Sequence, residues 1–177
     1  NLGLVAETLM QGRQRSRMGN DLYGGFGRDF TTADGQRLMI VALTPAQWNK
    51  ALAALGLGAQ VAALEAELGA SFAVDEGARF THRGRLFPLF EEAFAARTAA
   101  ELAPAFEAAG LTWGPYQPLE AALGDRRLFE GNPMFEEVRQ PSGVAYPSPG
   151  AMGTIPQDAR GPVAPAPRLG QHTDEIL

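Results

Sequence analysis

Residues 23–48 read YGGFGRDFTTADGQRLMIVALTPAQW, and the pattern within them decides the fold class. Phe26, Phe30 and Thr32 precede Ala33-Asp34-Gly35, and the run Leu38-Met39-Ile40-Val41-Ala42-Leu43 follows it. An Asp-Gly turn between apolar, β-prone runs predicts a hairpin. Six consecutive apolar residues in the second run predict a strand covered on both faces. Thr44-Pro45-Ala46-Gln47 then supplies an N-cap, a proline at the first helical position and a capping-box glutamine, so a helix starts there. Two strands running into a capped helix give an α+β unit.

Upstream, Leu2, Val5, Ala6 and Leu9 recur three and four apart and predict a short helix over residues 2–11. Gly12-Arg13-Gln14-Arg15-Ser16-Arg17-Met18-Gly19 follows as a polar, basic linker. Downstream, Trp48, Leu52 and Leu55 form a buried stripe that ends at Gly56, and a second helix covers Gln60 to Leu68. Leu86, Phe90, Ala93 and Phe94 make a third apolar face, with the helix beginning or kinking at Pro88. The capping box Thr98-Ala99-Ala100-Glu101 opens a helix carrying Leu102 and Phe106 and closing at Gly110. Leu111-Thr112-Trp113 returns to the sheet.

Beyond Asn132 the composition changes: eight of the 13 prolines lie between Pro133 and Pro167. A stretch of this length without helical periodicity predicts an extended arm that packs on another surface. Thr173 is placed to cap the next helix.

Composition limits the chemistry. Hydrophobic residues make up 45% and charged residues 20% of the 177, which excludes wholesale disorder. With no cysteine, disulfides, thiolate zinc sites and cysteine nucleophiles are excluded, and two histidines, His82 and His172, are too few for a histidine-rich metal centre. Capping or surface roles suit both. A net charge of -5 argues against nucleic acid as a partner. The apolar opening run contains Glu7, is too short to span a bilayer and lacks a basic flank, so no membrane is expected and the cytoplasm is the default location. The start at Asn1 and the end on Ile176-Leu177 read as those of a piece of a longer protein.

Three glycines within residues 24–27, beside Tyr23 and Arg28, make this segment the first candidate for ligand contact. Backbone N–H groups could approach an anion there and Arg28 could pair with a carboxylate or phosphate. The spacing is not a nucleotide fingerprint, and a glycine-softened start to the strand with Arg28 and Asp29 on the surface fits equally. Arg13, Arg15 and Arg17 match phosphate geometry, or form a solvated linker. No serine sits in a nucleophile motif, and no carboxylate spacing singles out an acid/base pair.

The stretch Gly19 to Trp48 resembles the beginning of the small domain in family III CoA-transferases, and APRLGQHTDEIL, residues 166–177, is similar to a segment near the family's C-terminal return. Leu111-Thr112-Trp113-Gly114-Pro115-Tyr116, Asn132-Pro133-Met134-Phe135 and Gln140-Pro141 also resemble members that move CoA within one C5 acyl-CoA, mesaconyl-CoA. One departure is Gln171, where the family pattern has Glu.

The resemblance implies a small α+β domain with a small sheet and packed helices, joined by linkers to a Rossmann-like large domain. Residues 1–19 would end the large domain's N-terminal part and form the first linker. Residues 20–131 would be the small domain, 132–169 a proline-rich return linker, and 170–177 the start of the return. It implies an interlocked homodimer acting on an acyl-CoA, with coenzyme A as part of the substrate and no permanently bound cofactor. The family's nucleophile is an aspartate that would lie outside this chain, so no catalytic residue is assigned within it. Tyr23, Gly24, Gly25 and Arg28 are expected to help enclose the acyl group and its free carboxylate, with Arg28 as the nearby cation. Intermolecular CoA transfer, acyl-CoA racemisation and a non-catalytic dimerisation module remain alternatives.

Overall fold

The structure is a computed structural model that describes residues 2–177, apart from the side chain of Arg127. The chain forms two compact units, the first running to Tyr116 and the second Gln117–Leu177; the small domain expected over 20–131 spans this division.

The first unit is organised by the hairpin. Strand β1 (Phe26–Thr31) pairs antiparallel with β2 (Arg37–Ala42), and β3 (Thr112–Pro115) joins the other side of β2. Register places Phe26 opposite Ala42, Arg28 opposite Ile40 and Phe30 opposite Leu38. Alternation therefore puts Phe26, Phe30, Leu38, Ile40 and Ala42 on one face, where all are buried. The other face carries Asp29, Met39 and Val41, and the latter two are only half-buried. The expectation of a strand covered on both faces is thus corrected: its second apolar face lines a shallow depression with Thr112, Gly114 and Tyr116.

Helices close the core face. Thr44 caps α2 (Pro45–Leu55) through the expected box with Gln47, and Gly56 ends it in the left-handed region. Its buried stripe is Trp48, Ala51 and Leu55, with Leu52 only partly covered. Helix α3 (Gly58–Leu68) buries Val61 and Leu64. Asp75 caps the short α4 (Glu76–Thr81), and His82 joins it to α5 (Arg83–Ala95). Helix α5 begins five residues before Pro88, which lies inside it. An internal proline costs roughly 3 kcal/mol, but Leu86, Phe87, Phe90 and Phe94 are all buried by this helix, at about 1.5–3 kcal/mol each. Burial wins. Thr98 and Glu101 form the second box, opening α6 (Ala99–Ala109).

The hairpin turn is fastened to that helix start. Asp34 Oδ1 accepts from the Ala99 N–H at 3.1 Å and from the Thr32 hydroxyl at 2.5 Å, and the Ala33 N–H donates to the Arg97 carbonyl at 2.9 Å. The Thr32 hydroxyl and then the Ala99 N–H hold the Asp34 carboxyl below the usual carboxylate range. Helix α1 (Leu2–Gln11) forms as expected, but its apolar positions Leu2, Val5 and Leu9 are exposed.

In the second unit, α7 (Leu119–Leu123) and α8 (Arg126–Phe129) precede a two-stranded sheet of β4 (Phe135–Arg139) and β5 (Ala145–Pro149). The expected arm is therefore not extended throughout. Gln140-Pro141-Ser142-Gly143 makes the turn, with Gly143 at φ 88°. Pro147 and Pro149 are tolerated because both strands of a two-stranded sheet are edges. The following chain is held to the hairpin by the Val163 N–H donating to Glu136 and the Ala166 N–H donating to Gln140. Helix α9 (Thr173–Ile176) is capped at His172 rather than Thr173, and His172 Nδ1 lies 2.9 Å from Glu175 Oε2. Gln171 accepts from the Arg168 N–H through its side-chain oxygen, a role an oxygen of Glu would also fill.

Candidate functional site around Tyr23

The chain reaches β1 through a tight approach. The Asp21 N–H donates to the Met18 carbonyl at 3.0 Å, and the Leu22 N–H to the Gly27 carbonyl at 2.8 Å. This folds Leu22 across Gly27, where a Cβ would sit 3.1 Å from Leu22 Cβ and 3.2 Å from Val41 Cγ2. Gly24 turns the chain at φ 78°, a conformation that favours glycine. The glycines therefore have a packing role: Gly25 is buried under Leu43, and of the three only Gly24 is exposed.

Tyr23 is the hub of this region. Its hydroxyl donates to Glu7 Oε1 at 3.0 Å, the Arg15 guanidinium lies 3.5 Å from its ring centroid, and Phe80 meets it edge-on at 5.1 Å. Arg15 also grips Glu7 bidentately, joining α1, the linker and the start of the sheet. Hydrogen bonding from Arg15, aided by Tyr23, outweighs desolvation and keeps the Glu7 carboxyl below its ordinary value. A cleft of about 240 Å³ opens here, lined among others by Arg13, Arg15, Tyr23, Phe80 and Arg83.

Arg28 does not line that cleft. It projects from the core face of β1, lies 4.9 Å over Phe87, and pairs with Glu91 at 3.0 Å and Asp21 at 3.8 Å. Asp21 also pairs with Arg83 at 3.3 Å, and Arg83 covers Phe80 at 4.2 Å. Tyr23 and Arg28 are thus linked through Phe80, Arg83 and Asp21, without direct contact in this chain of partners. Sequence reasoning missed Arg83 and Phe80, because their approach depends on how α4 and α5 cross the sheet. The basic linker was visible, and two of its three arginines, Arg13 and Arg15, reach the cleft; Arg17 does not line it.

Acid/base and metal chemistry find no support among the described residues. No group of three His, Asp or Glu side chains is placed to hold a metal ion. The carboxylates with displaced pKa values, Glu7, Asp29, Asp34, Glu101 and Glu130, are all lowered, so each is held charged instead of poised as an acid.

Residues 3–173 match the model of CoA-transferase family III. The chain belongs to that family. Its whole length aligns at 45% identity over 178 residues with 2-methylfumaryl-CoA isomerase from Chloroflexus aurantiacus, covering 43% of that protein. Two solved structures share the fold. A CaiB/BaiF family protein from Brucella suis has 19% identity and a TM-score of 0.65, over 98% of this chain and 43% of its own. A hypothetical protein from Mycobacterium tuberculosis has 23% identity and a TM-score of 0.65, over 99% and 44%. As a CoA-transferase family III chain it spans less than half the length of each of these relatives. No described helix is long and apolar enough to cross a membrane.

Proposed function

We propose that the protein carrying this chain moves CoA between the two carboxyl groups of one C5 molecule, converting mesaconyl-CoA (2-methylfumaryl-CoA) from its C1 to its C4 thioester. The observation that carries this reading is the 45% identity, along the whole chain, to 2-methylfumaryl-CoA isomerase. The chemistry implied by the family is nucleophilic: an aspartate carboxylate attacks the thioester, giving a mixed anhydride and then an aspartyl-CoA thioester, from which CoA passes to the acceptor carboxylate. That aspartate is outside this chain. Coenzyme A enters as part of the substrate and no other cofactor takes part.

In this reading residues 20–131 form the small domain, 132–169 return towards a large domain, and two subunits make the working dimer. Tyr23 helps enclose the acyl group as a wall, Gly24 and Gly25 help by fixing the turn that presents it, and Arg28 helps from outside the cleft, through Asp21 and Arg83. Retaining the free diacid between half-reactions spares the reaction a second encounter from solution.

Incubating the intact protein with mesaconyl-CoA and no acceptor acid is expected to give the C4 thioester; conversion that begins only when a free acid is added would point to intermolecular transfer. The 177-residue chain alone is expected to leave mesaconyl-CoA unchanged. Turnover by the chain alone would mean that one of its own carboxylates is the nucleophile.

A further inference from the structure

The cleft beside Tyr23 holds more positive charge than its carboxylates offset. Of Arg13, Arg15 and Arg83, which line it, Arg15 pairs with Glu7 and Arg83 with Asp21. Among the described residues no carboxylate lies within ion-pair distance of Arg13, which is exposed; the nearest recorded influence is the longer-range one of its charge on Glu7. Tyr23 and Phe80 also line the cleft, their rings edge to face at 5.1 Å between centroids, with Arg15 over the Tyr23 ring and Arg83 over that of Phe80. A planar guanidinium outside any ion pair, beside the edges of two aromatic rings, matches a small molecule with a carboxylate at one end and a short carbon chain behind it. Size narrows the class further. At about 240 Å³ the cleft is below the roughly 300–1,000 Å³ typical of drug-sized ligands, which suits a short diacid and not the nucleotide end of CoA.

The geometry points to this cleft as the place where the thioester-free carboxylate of a dicarboxylic acyl group is held, with Arg13 as its charged partner and Tyr23 and Phe80 against its carbon chain. The inference rests on the CoA-transfer reading and changes one part of it. Arg28, expected from sequence to hold that carboxylate, is flanked by Glu91 at 3.0 Å and Asp21 at 3.8 Å, so its charge is already offset. Arg15 is committed to Glu7 and serves to orient Tyr23.

The test uses the intact protein and mesaconyl-CoA, reading kcat, KM and the free mesaconate released per turnover. Arg13→Gln is expected to raise KM or free-acid release about 10-fold or more, the loss of one charge-assisted hydrogen bond, with Arg13→Lys restoring part of it. Arg17→Gln, outside the cleft, is the control and is expected to match the parent. An active parent in which Arg13→Gln behaves like Arg17→Gln overturns the inference alone. A large loss in Arg28→Gln with none in Arg13→Gln overturns it in favour of Arg28. A parent that leaves mesaconyl-CoA unchanged overturns the CoA-transfer reading on which it rests, and the inference with it.

Discussion

Replacing Arg79 by Met lowers the stability of the chain by about 3 kcal/mol or more. Arg79 is 1% exposed, and its guanidinium donates to the carbonyls of Phe72, Ala42, Leu43 and Ala73 while lying 5.0 Å over Trp48. These acceptors come from the end of β2 and from the loop between α3 and α4, so one side chain joins three segments. Burial pushes its pKa down, and Glu76 and Asp75 push it partly back. Methionine fills similar volume but leaves those inward carbonyls without a donor, at about 1–3 kcal/mol for each left buried and unpaired. Lysine keeps the charge yet lacks the planar fork that reaches several acceptors at once, so it is not expected to rescue. Thermal unfolding reads the effect, as a fall in Tm on the order of 10 °C. A change under about 2 °C would show that water satisfies the carbonyls equally well.

Phe90→Ala is expected to cost about 3–5 kcal/mol, the range for truncating a fully enclosed aromatic. Phe90 is 0% exposed and its ring centroid lies 4.5 Å from that of Phe26, 5.7 Å from Phe30 and 5.8 Å from Trp48. It is where α5 meets both the hairpin and α2. Such ring pairs add about 0.5–1.5 kcal/mol beyond simple area burial, so the loss exceeds that of an isolated contact. Phe90→Leu keeps most of the volume and should lose clearly less. Denaturant unfolding separates the two variants; equal losses would mean that ring geometry contributes more than filled space.

These two residues show what the sequence makes legible. The hairpin, both capping boxes and the glycine stops are local devices, written within a few residues of where they act, and each forms where the sequence predicts. Phe90 was readable as core from its spacing with Leu86 and Phe94. Arg79 was not, because its acceptors are backbone carbonyls up to 37 residues away and carbonyls carry no sequence signature. Arg97 is similar: it donates to the carbonyls of Ala54 and Leu55 at the end of α2, which helix spacing cannot reveal. The start of α5 ahead of Pro88 and the β4–β5 hairpin escape the local sequence for one reason. Proline signals a break locally, yet long-range burial overrode it in α5, and edge positions removed its cost in β5.

The site divides in the same way. Tyr23 and the arginine linker were visible as unusual composition. Which of the cleft's arginines lies outside an ion pair among the described residues was not, since that depends on Glu7 from α1, Asp21 from the turn and Glu91 from α5. Charge balance is a property of the folded neighbourhood. Arg28 has two carboxylates beside it, whereas Arg13 has none in ion-pair reach among the described residues.

The central claim is that CoA moves within one molecule while the diacid stays bound. The most direct measurement is to supply the intact protein with unlabelled mesaconyl-CoA and a large excess of ¹³C-labelled free mesaconate, and to follow the C4 thioester by mass spectrometry. The account predicts product without ¹³C at early times. Product that carries label in proportion to the free acid would contradict it.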